Sequence, residues 1–196
     1  MNPRRLVGAI AAPLVAIALL AGCAETPSIA SAGTNTGYVS GAGVYKEFKP
    51  ADRKSPVKFS SVTDAGDKVS SSQFLGEVYV LNFWFAGCGP CRVEAPRLEK
   101  IYKQYDGKIP FLGVNTYDQA AQSLTFAKRF KITYPSAIDV NTVSVQYAFS
   151  KYIPPNAVPT TLVIDKHGRV AARVTGVIED PSILASLIDT VVSEGK

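Results

Sequence analysis

One stretch of the sequence, residues 78–96, constrains the fold more than any other. It opens with an apolar run from Val78 to Phe85 that only Asn82 interrupts. A run this short, rich in β-branched and aromatic residues, predicts a strand buried on both faces of a sheet. Cys88-Gly89-Pro90-Cys91 follows, and apolar or small residues then recur with the period of a helix, at positions 91, 95, 98, 101, 102 and 105. The two cysteines are therefore predicted at the point where a buried strand turns into a helix.

The start of a helix is a chemically favourable place for a pair of cysteines. Unsatisfied backbone N–H groups and the positive end of the helix dipole stabilise a thiolate there. The spacing puts both sulfurs within one helical turn, so a disulfide can close with little rearrangement. Cys88, the outermost, is expected to be the attacking thiolate, and Cys91, one turn in and more buried, is expected to resolve the mixed disulfide. Pro90 lacks an N–H that this position does not need, and it stiffens the small ring.

Two other interpretations of the cysteine pair compete with a redox role. Half of a zinc site would normally need four Cys or His ligands, whereas the whole chain has three Cys and one His. An inert structural disulfide would rarely stand at a helix start with Gly-Pro between its cysteines. We therefore predict a redox-active disulfide that works without a separate cofactor and without a metal.

The same stretch resembles the thioredoxin superfamily, and more closely its TlpA/ResA-like branch of extracytoplasmic, redoxin-type thiol-disulfide oxidoreductases. The resemblance covers the chain from about Pro56 onward, and the residues that carry it are Asn82-Phe83-Trp84, the cysteine motif, Arg92, Glu94, Pro96, the run from Val158 to Asp165, Gly168 and Gly176. It implies an α/β fold, a thioredoxin-like three-layer α/β/α sandwich with a mixed β-sheet. An N-terminal strand extension and a central helical insertion, from about Tyr117 to Tyr152, would complete it.

Two positions depart from the family pattern. Asn82 stands where cytoplasmic thioredoxins carry a buried Asp, so that proton acceptor is absent. Gly87 stands where many relatives have Trp directly before the first Cys, and this could widen the approach to Cys88.

The resemblance also implies roles for residues around the cysteine pair, which with Trp84, Gly89 and Pro90 make up the predicted site. Pro159 would be a cis-proline facing the cysteines, with the backbone of Val158 available to pair with an extended substrate; without the resemblance it is an ordinary proline at the start of a strand. Glu94, three residues after Cys91, would be partly buried near the dithiol, with a raised pKa, and would move protons. Spacing alone equally allows a solvent-exposed Glu94 paired with Arg97.

The first residues of the chain resemble a lipoprotein secretion signal. Arg4 and Arg5 precede an apolar stretch from Leu6 to Leu20, and Leu20-Ala21-Gly22-Cys23 resembles the lipobox, in which the cysteine becomes the N-terminus and carries lipid. An uncleaved membrane anchor is the alternative, although the apolar stretch is short for a span and contains Pro13. Either way, the domain is expected outside the cytoplasm and tethered to the cell membrane.

These features divide the chain into three parts. We predict a signal peptide over residues 1–22, a lipid-anchored flexible tether over residues 23–51, and a thioredoxin-like domain over residues 52–196. The tether is rich in Ser, Thr, Gly and Ala, and only Val44–Phe48 could dock on the domain.

The rest of the chain predicts a mixed order of strands and helices. Strands are predicted over Val57–Val62, near Val69, and over Ile109–Val114, Ser136–Val140, Thr160–Ile164 and Val170–Val174, and helical segments over Ser70–Leu75, 119–131, Thr142–Phe149 and from Asp180 onward. In the segment 119–131, Leu124 and Ala127 are expected to point inward. His167, the single histidine, is expected in a hairpin turn, so no Cys-His catalytic pair is predicted.

The leading functional interpretation is a membrane-tethered thiol-disulfide oxidoreductase that works in the reducing direction. The family implies a membrane-embedded thiol carrier as the electron donor and protein disulfides as substrates, among them the haem-site cysteines of apocytochrome c in cytochrome c maturation. The alternatives are a disulfide-forming oxidant, a peroxiredoxin-like peroxidase, and a copper(I) chaperone that uses the same cysteines. Nucleic acid is not an expected partner, because the net charge of +5 is mild and no Lys/Arg cluster interleaves with aromatic residues.

Overall fold

A computed structural model describes residues 43–154 and 157–194. The predicted signal peptide, Cys23 and most of the predicted tether lie outside the described residues, as do Pro155 and Asn156. Within the described part of the chain, no helix is both long enough and apolar enough to cross a membrane.

In the central part of the chain, strands and helices alternate as the sequence predicts for an α/β protein. The strands are β1 (Val44–Glu47), β2 (Ser60–Val62), β3 (Lys68–Ser70), β4 (Tyr79–Trp84), β5 (Phe111–Asn115), β6 (Ser136–Ile138), β7 (Thr160–Ile164) and β8 (Val170–Thr175). The α-helices are α1 (Gly89–Gln104), α2 (Ala120–Phe130), α3 (Ser144–Ala148) and α4 (Pro181–Ser193), with 3-10 helices over Pro50–Asp52 and Ser71–Phe74.

Six strands form one mixed sheet in the order β1-β8-β7-β4-β5-β6. β4, β5 and β6 are parallel to one another. β7 runs antiparallel to β4, β8 to β7, and β1 to β8. β2 and β3 pair antiparallel as a separate two-stranded sheet. Helix α1 is the crossover between the parallel neighbours β4 and β5, a connection that a parallel pair requires.

Layers of helix cover both faces of the sheet. Successive residues of a strand point to opposite faces, and at the end of β4 the Phe83 ring packs on Phe149, just after α3, whereas the Trp84 ring packs on Phe126 of α2. Helices α2 and α3 therefore lie on opposite faces. Val80, on the Trp84 side of β4, belongs to a buried cluster that includes residues of α1 and α4. The result is the predicted three-layer sandwich, and its apolar layers hold β4 buried along its whole length.

The sheet begins earlier in the chain than the predicted domain boundary at residue 52. Val44–Glu47 forms the edge strand β1, with Val44 opposite Thr175 and Glu47 opposite Ala172. All four residues of β1 are exposed. They therefore lack the alternation of buried apolar and exposed polar residues that would mark a strand in the sequence. The docking that the sequence allows for Val44–Phe48 thus takes the form of an added strand, in keeping with the expected N-terminal strand extension.

Helix α2 forms within the predicted segment, but the prediction of its inward face is wrong for Leu124. That side chain is 48% exposed, whereas Ser123 and Phe126 are buried. The Phe126 ring lies 4.2 Å from the Trp84 ring, and Ser123 Oγ donates to Asp64 Oδ2 at 2.8 Å. These two contacts set the rotation of the helix. The predicted helical insertion also contains β6, so it adds a strand to the sheet as well as helices.

Gly113 of β5 occupies a position where no side chain fits. A Cβ atom there would collide with Oγ of Ser136 and with Nε1 of Trp84. We expect Gly113→Ala to lower the free energy of unfolding by about 1–3 kcal/mol, the usual cost of overpacking a core. Chemical denaturation measures the effect, with Gly89→Ala as the control because nothing lies within 4 Å of a Cβ at Gly89. Equal losses of stability in the two variants would contradict the packing argument.

Candidate redox site

The two cysteines form a disulfide where β4 leads into α1. The S–S distance is 2.00 Å and the Cα atoms are 5.2 Å apart. Cys88 is the N-cap residue of α1, and its Sγ accepts a hydrogen bond from the backbone N–H of Cys91 at 3.1 Å. Gly89 and Pro90 open the helix, where a missing N–H costs nothing. The strand-to-helix junction that the sequence predicts is thus present, with a backbone donor aimed at one sulfur.

The prediction that Cys91 is more buried than Cys88 is wrong. Cys88 is 0% exposed and Cys91 is 3% exposed. The reason lies in the preceding loop, which turns back on itself because the N–H of Cys88 donates to the carbonyl of Phe85 at 3.1 Å. Cys88 also belongs to a buried cluster against which Phe85 and Ala86 pack. In the disulfide form, a partner sulfur can reach Cys88 only when neighbouring side chains move.

The side chains of Asp118 and Arg92 hold the loop before Cys88 through hydrogen bonds to the backbone of Ala86. The N–H of Ala86 donates to Oδ2 of Asp118, and its carbonyl accepts from Nε of Arg92 at 2.7 Å. Asp118 is itself bonded by the buried Asn115, whose Nδ2 donates to Oδ2 of Asp118 at 3.0 Å. Asn115 and Asp118 are not among the residues that the sequence predicts at this site. A signal for them exists, because the carboxyl ends of the parallel strands β4 and β5 meet at the same edge of the sheet.

Glu94 lies on the buried side of α1, one turn after Cys91, and only 1% of it is exposed. Its Oε1 accepts from Nδ2 of Asn82 at 2.8 Å, and its Oε2 accepts from the N–H of Ile178 at 2.9 Å. Burial raises the pKa of Glu94 to about 7, against the smaller lowering effects of these hydrogen bonds and of the Arg97 charge. The alternative of a solvent-exposed Glu94 is therefore wrong. Arg97 instead donates to the carbonyl of Ile178 at 2.9 Å.

Asn82 connects Glu94 to the sheet beneath the disulfide. It stands opposite Thr161 in the pairing of β4 with β7, and its Nδ2 donates to Oγ1 of Thr161 at 3.0 Å as well as to Glu94. A cavity of about 10 Å³, room for about one water, is lined by Asn82, Trp84 and Cys91 among others. The buried carboxyl group and the second cysteine are thus neighbours of the same polar residue.

Trp84 lies in the core, 5% exposed, at the end of β4. Because its ring is buried and packs on the ring of Phe126, it supports the floor of the site and offers little surface to a substrate.

Pro159 directly precedes β7, and the Val158–Pro159 peptide bond is cis. In the pairing of β7 with β4, Thr160 stands opposite Phe83. Pro159 is therefore at the end of the sheet from which the chain continues to Cys88. Its carbonyl accepts from the N–H of Gly176 at 2.8 Å, whereas the N–H and C=O of Val158 have no hydrogen-bond partner among the described residues.

His167 lies in the turn between β7 and β8, as the sequence predicts, and its N–H donates to Oδ1 of Asp165 at 2.9 Å. In residues 43–154 and 157–194, no three His, Cys, Asp or Glu side chains are grouped so that they could hold a metal ion.

The chain is similar to a known protein family, to curated proteins and to solved structures. A family model described as Redoxin matches residues 49–188. Thioredoxin-like protein YneN of Bacillus subtilis is 34% identical over 113 residues, 56% of this chain and 63% of YneN. Thiol-disulfide oxidoreductase ResA of Geobacillus kaustophilus is 34% identical over 113 residues, 57% of this chain and 62% of ResA. The chain thus spans less than two thirds of the length of these curated relatives.

The crystal structure of a secreted thiol-disulfide isomerase from Corynebacterium glutamicum superposes with a TM-score of 0.66 at 25% identity, covering 74% of this chain and 92% of that one. The thioredoxin-like α/β fold is confirmed by this likeness.

Proposed function

The chain belongs to the Redoxin family, and on that premise we propose that it is a thiol-disulfide oxidoreductase that reduces protein disulfides through the Cys88–Cys91 pair. The observation that carries the proposal is the disulfide at the first turn of α1, with a backbone N–H donating to Sγ of Cys88. The same N–H would stabilise the thiolate once the disulfide is opened. The names of YneN and ResA agree with this chemistry.

The reaction transfers two electrons from the Cys88/Cys91 dithiol to the disulfide of the client. The Cys88 thiolate attacks one sulfur of the client disulfide, a mixed disulfide forms, and the other client sulfur leaves as a thiolate. Cys91 then gives up its proton and attacks Sγ of Cys88. The second client sulfur leaves, and the Cys88–Cys91 disulfide forms. Two electrons have passed to the client, two protons complete its thiols, and an external dithiol must return the two electrons to the protein.

Glu94 is the proton acceptor that we assign to Cys91. It lies one turn farther along the same helix, close enough in sequence for the two side chains to share a face. A carboxyl group whose pKa is about 7 can both take and return a proton near neutral pH, as a group that shuttles protons in each cycle must. Asn82 cannot exchange a proton in this pH range. We therefore assign to the buried carboxyl group of Glu94 the proton-acceptor role that the buried Asp has in cytoplasmic thioredoxins.

Val158 is the backbone position that we assign to client binding. Its N–H and C=O have no partner among the described residues, and it stands next to the cis bond, at the same end of the sheet as the cysteines. An extended client segment could pair with these two groups as an added strand.

We further propose that the protein works on the extracytoplasmic face of the cell membrane, anchored by lipid on Cys23. A membrane-embedded thiol carrier would supply its electrons, and apocytochrome c would be among its clients. The arginines, apolar run and small residues before Cys23 support the anchor. The resemblance to the ResA-like branch supports the donor and the client, and the likeness to a secreted isomerase supports the compartment.

The reduction potential of the Cys88–Cys91 couple tests the direction of the reaction. For a protein that reduces its clients we expect a value near that of thioredoxin, about −270 mV. The full chain in detergent is equilibrated with thiol–disulfide buffers of known potential, and alkylation of free thiols is read by mass spectrometry. A variant with both cysteines changed to Ser controls for alkylation elsewhere. A value near about −120 mV would reject the reducing role and indicate a disulfide-forming oxidant.

A further inference from the structure

A groove of about 320 Å³ lies beside the disulfide, between the first turn of α1 and the outer side of α2. The half-buried Phe130 lines it with apolar surface above the buried Phe126, and Arg92 and Arg129 line it with positive charge. Ala86, two residues before Cys88, also lines it. The groove therefore starts at the loop that leads into the first cysteine.

The two arginines of the groove have donors to spare. Arg92 uses Nε to hold the carbonyl of Ala86, and its two terminal nitrogens have no partner among the described residues. Arg129 lies over the Phe130 ring, 5.7 Å from its centroid, and forms no hydrogen bond or ion pair in that part of the chain. No Asp or Glu lines the groove. A planar guanidinium group with free N–H pairs matches a carboxylate better than any other common side chain does.

The apolar lining of the groove is already fixed by the fold. Phe126 packs with tilted rings on the buried Trp84 and on Phe130, with ring centroids 4.2 Å and 4.4 Å apart. The aromatic floor is thus held in place from below, while Arg92 and Arg129 are exposed above it. A ligand that fits both features would combine an apolar side chain with an acidic one.

We propose that this groove binds the client segment that flanks the target disulfide, and that it selects segments in which an acidic residue adjoins an apolar one. The inference rests on the proposed function, because the mixed disulfide between Cys88 and the client is what brings the segment to the groove. Ala86 lines the groove and precedes Cys88 by two residues, which is at most about 7 Å of extended chain. We therefore place the segment about two to four residues from the client cysteine.

Three disulfide peptides test the selection. They are identical except that, three residues after the attacked cysteine, they carry Leu-Glu, Leu-Gln or Leu-Lys. The second-order rate constant for reduction of each peptide is measured with the reduced full chain in detergent. We expect the Glu peptide to react about fivefold faster than the Lys peptide, an effect of the size that exposed ion pairs produce, and the difference to shrink in high salt.

Charge-removing variants locate the effect. We expect Arg129→Gln to lower the Glu-to-Lys rate ratio, with Arg92 responsible for the preference that remains. Lys128→Gln is the matched control, because it removes the same charge from the neighbouring position of α2 but does not line the groove, and it should keep the wild-type ratio. Because the ratio is taken within each variant, changes in the dithiol itself cancel. An unchanged ratio in Arg129→Gln, or an equal loss in Lys128→Gln, overturns the inference.

A small uncharged disulfide separates the inference from its premise. Hydroxyethyl disulfide carries neither a carboxylate nor an apolar side chain that the groove could select. Equal rates for the three peptides, with hydroxyethyl disulfide reduced, overturn the groove and leave the proposed function intact. If the wild-type protein reduces none of these disulfides, the proposed function fails, and the inference fails with it.

Discussion

Cys88→Ser is expected to abolish disulfide reduction, whereas Cys91→Ser is expected to stop the reaction at a mixed disulfide between Cys88 and the client. The expectation follows from the different roles of the two sulfurs. Without Cys88 there is no nucleophile at the helix start. Without Cys91 the first exchange still occurs, but no thiol is placed to displace the client from Cys88.

The exposed fractions do not distinguish the two sulfurs, since both cysteines are buried in the disulfide form. The assignment of Cys88 as nucleophile rests instead on its N-cap position and on the backbone N–H that donates to its Sγ. Such donors lower the pKa of a thiol at a helix start and so raise its thiolate fraction.

Mass spectrometry of each variant after incubation with a disulfide peptide measures the outcome directly. The Cys91→Ser protein should gain the mass of one peptide, and a reducing agent should remove it. The variant with both cysteines changed to Ser is the control and should gain nothing. A peptide adduct on Cys88→Ser, with none on Cys91→Ser, would reverse the roles of the two cysteines.

The parts of the fold that were predictable depend on local patterns. The apolar run of β4 and the 3.6-residue period after it place Cys88 and Cys91 correctly at a strand-to-helix junction. The burial of Cys88 was not predictable in the same way. It depends on the turn between Phe85 and Cys88 and on Asp118, which is far away in sequence and holds Ala86.

The errors at α2 and β1 have a common physical origin in tertiary contacts. Leu124 and Phe126 are both apolar, so the helical period is compatible with more than one inward face. The packing of Phe126 on Trp84 decides between them. In β1 the side chains are exposed and only the backbone pairing with β8 defines the strand. Glu94 was only partly predictable. Its spacing from Cys91 is visible in the sequence, but its burial depends on Asn82 and Ile178, which come from other parts of the chain.

Glu94 should also make the stability of the protein depend on pH across the neutral range. Its ordinary pKa is 4.5, and burial raises the pKa in the folded protein to about 7. Between these values the folded state keeps a proton that the unfolded state has released. The stabilisation is therefore fully present below pH 4.5 and is lost as the pH rises through 7. The whole shift corresponds to about 3 kcal/mol.

The variant Glu94→Gln isolates this titration from those of other groups. Its amide cannot titrate, although its NH₂ must face one of the two donors, Asn82 Nδ2 or the Ile178 N–H, at a pH-independent cost of about 1–3 kcal/mol. We expect the unfolding free energy of the wild type, minus that of the variant, to fall by about 3 kcal/mol between pH 4.5 and pH 8. Denaturant titrations at several pH values measure the difference. Glu179→Gln, which removes an exposed carboxylate, controls for the lost charge.

The same titration should govern the second step of the exchange, because ionised Glu94 is the form that can accept the proton of Cys91. We expect the rate at which Cys91 resolves the mixed disulfide to rise as the pH passes through about 7. In Glu94→Gln this rise should disappear, while the first attack by Cys88 keeps its own pH profile. Rapid-mixing kinetics with a disulfide peptide separate the two steps. The stability difference could change with pH while the rate at which Cys91 resolves the mixed disulfide is the same in the wild type and in Glu94→Gln. Glu94 would then be a buried structural acid and not a proton acceptor. A difference that stays flat across this range would show that Glu94 does not titrate there.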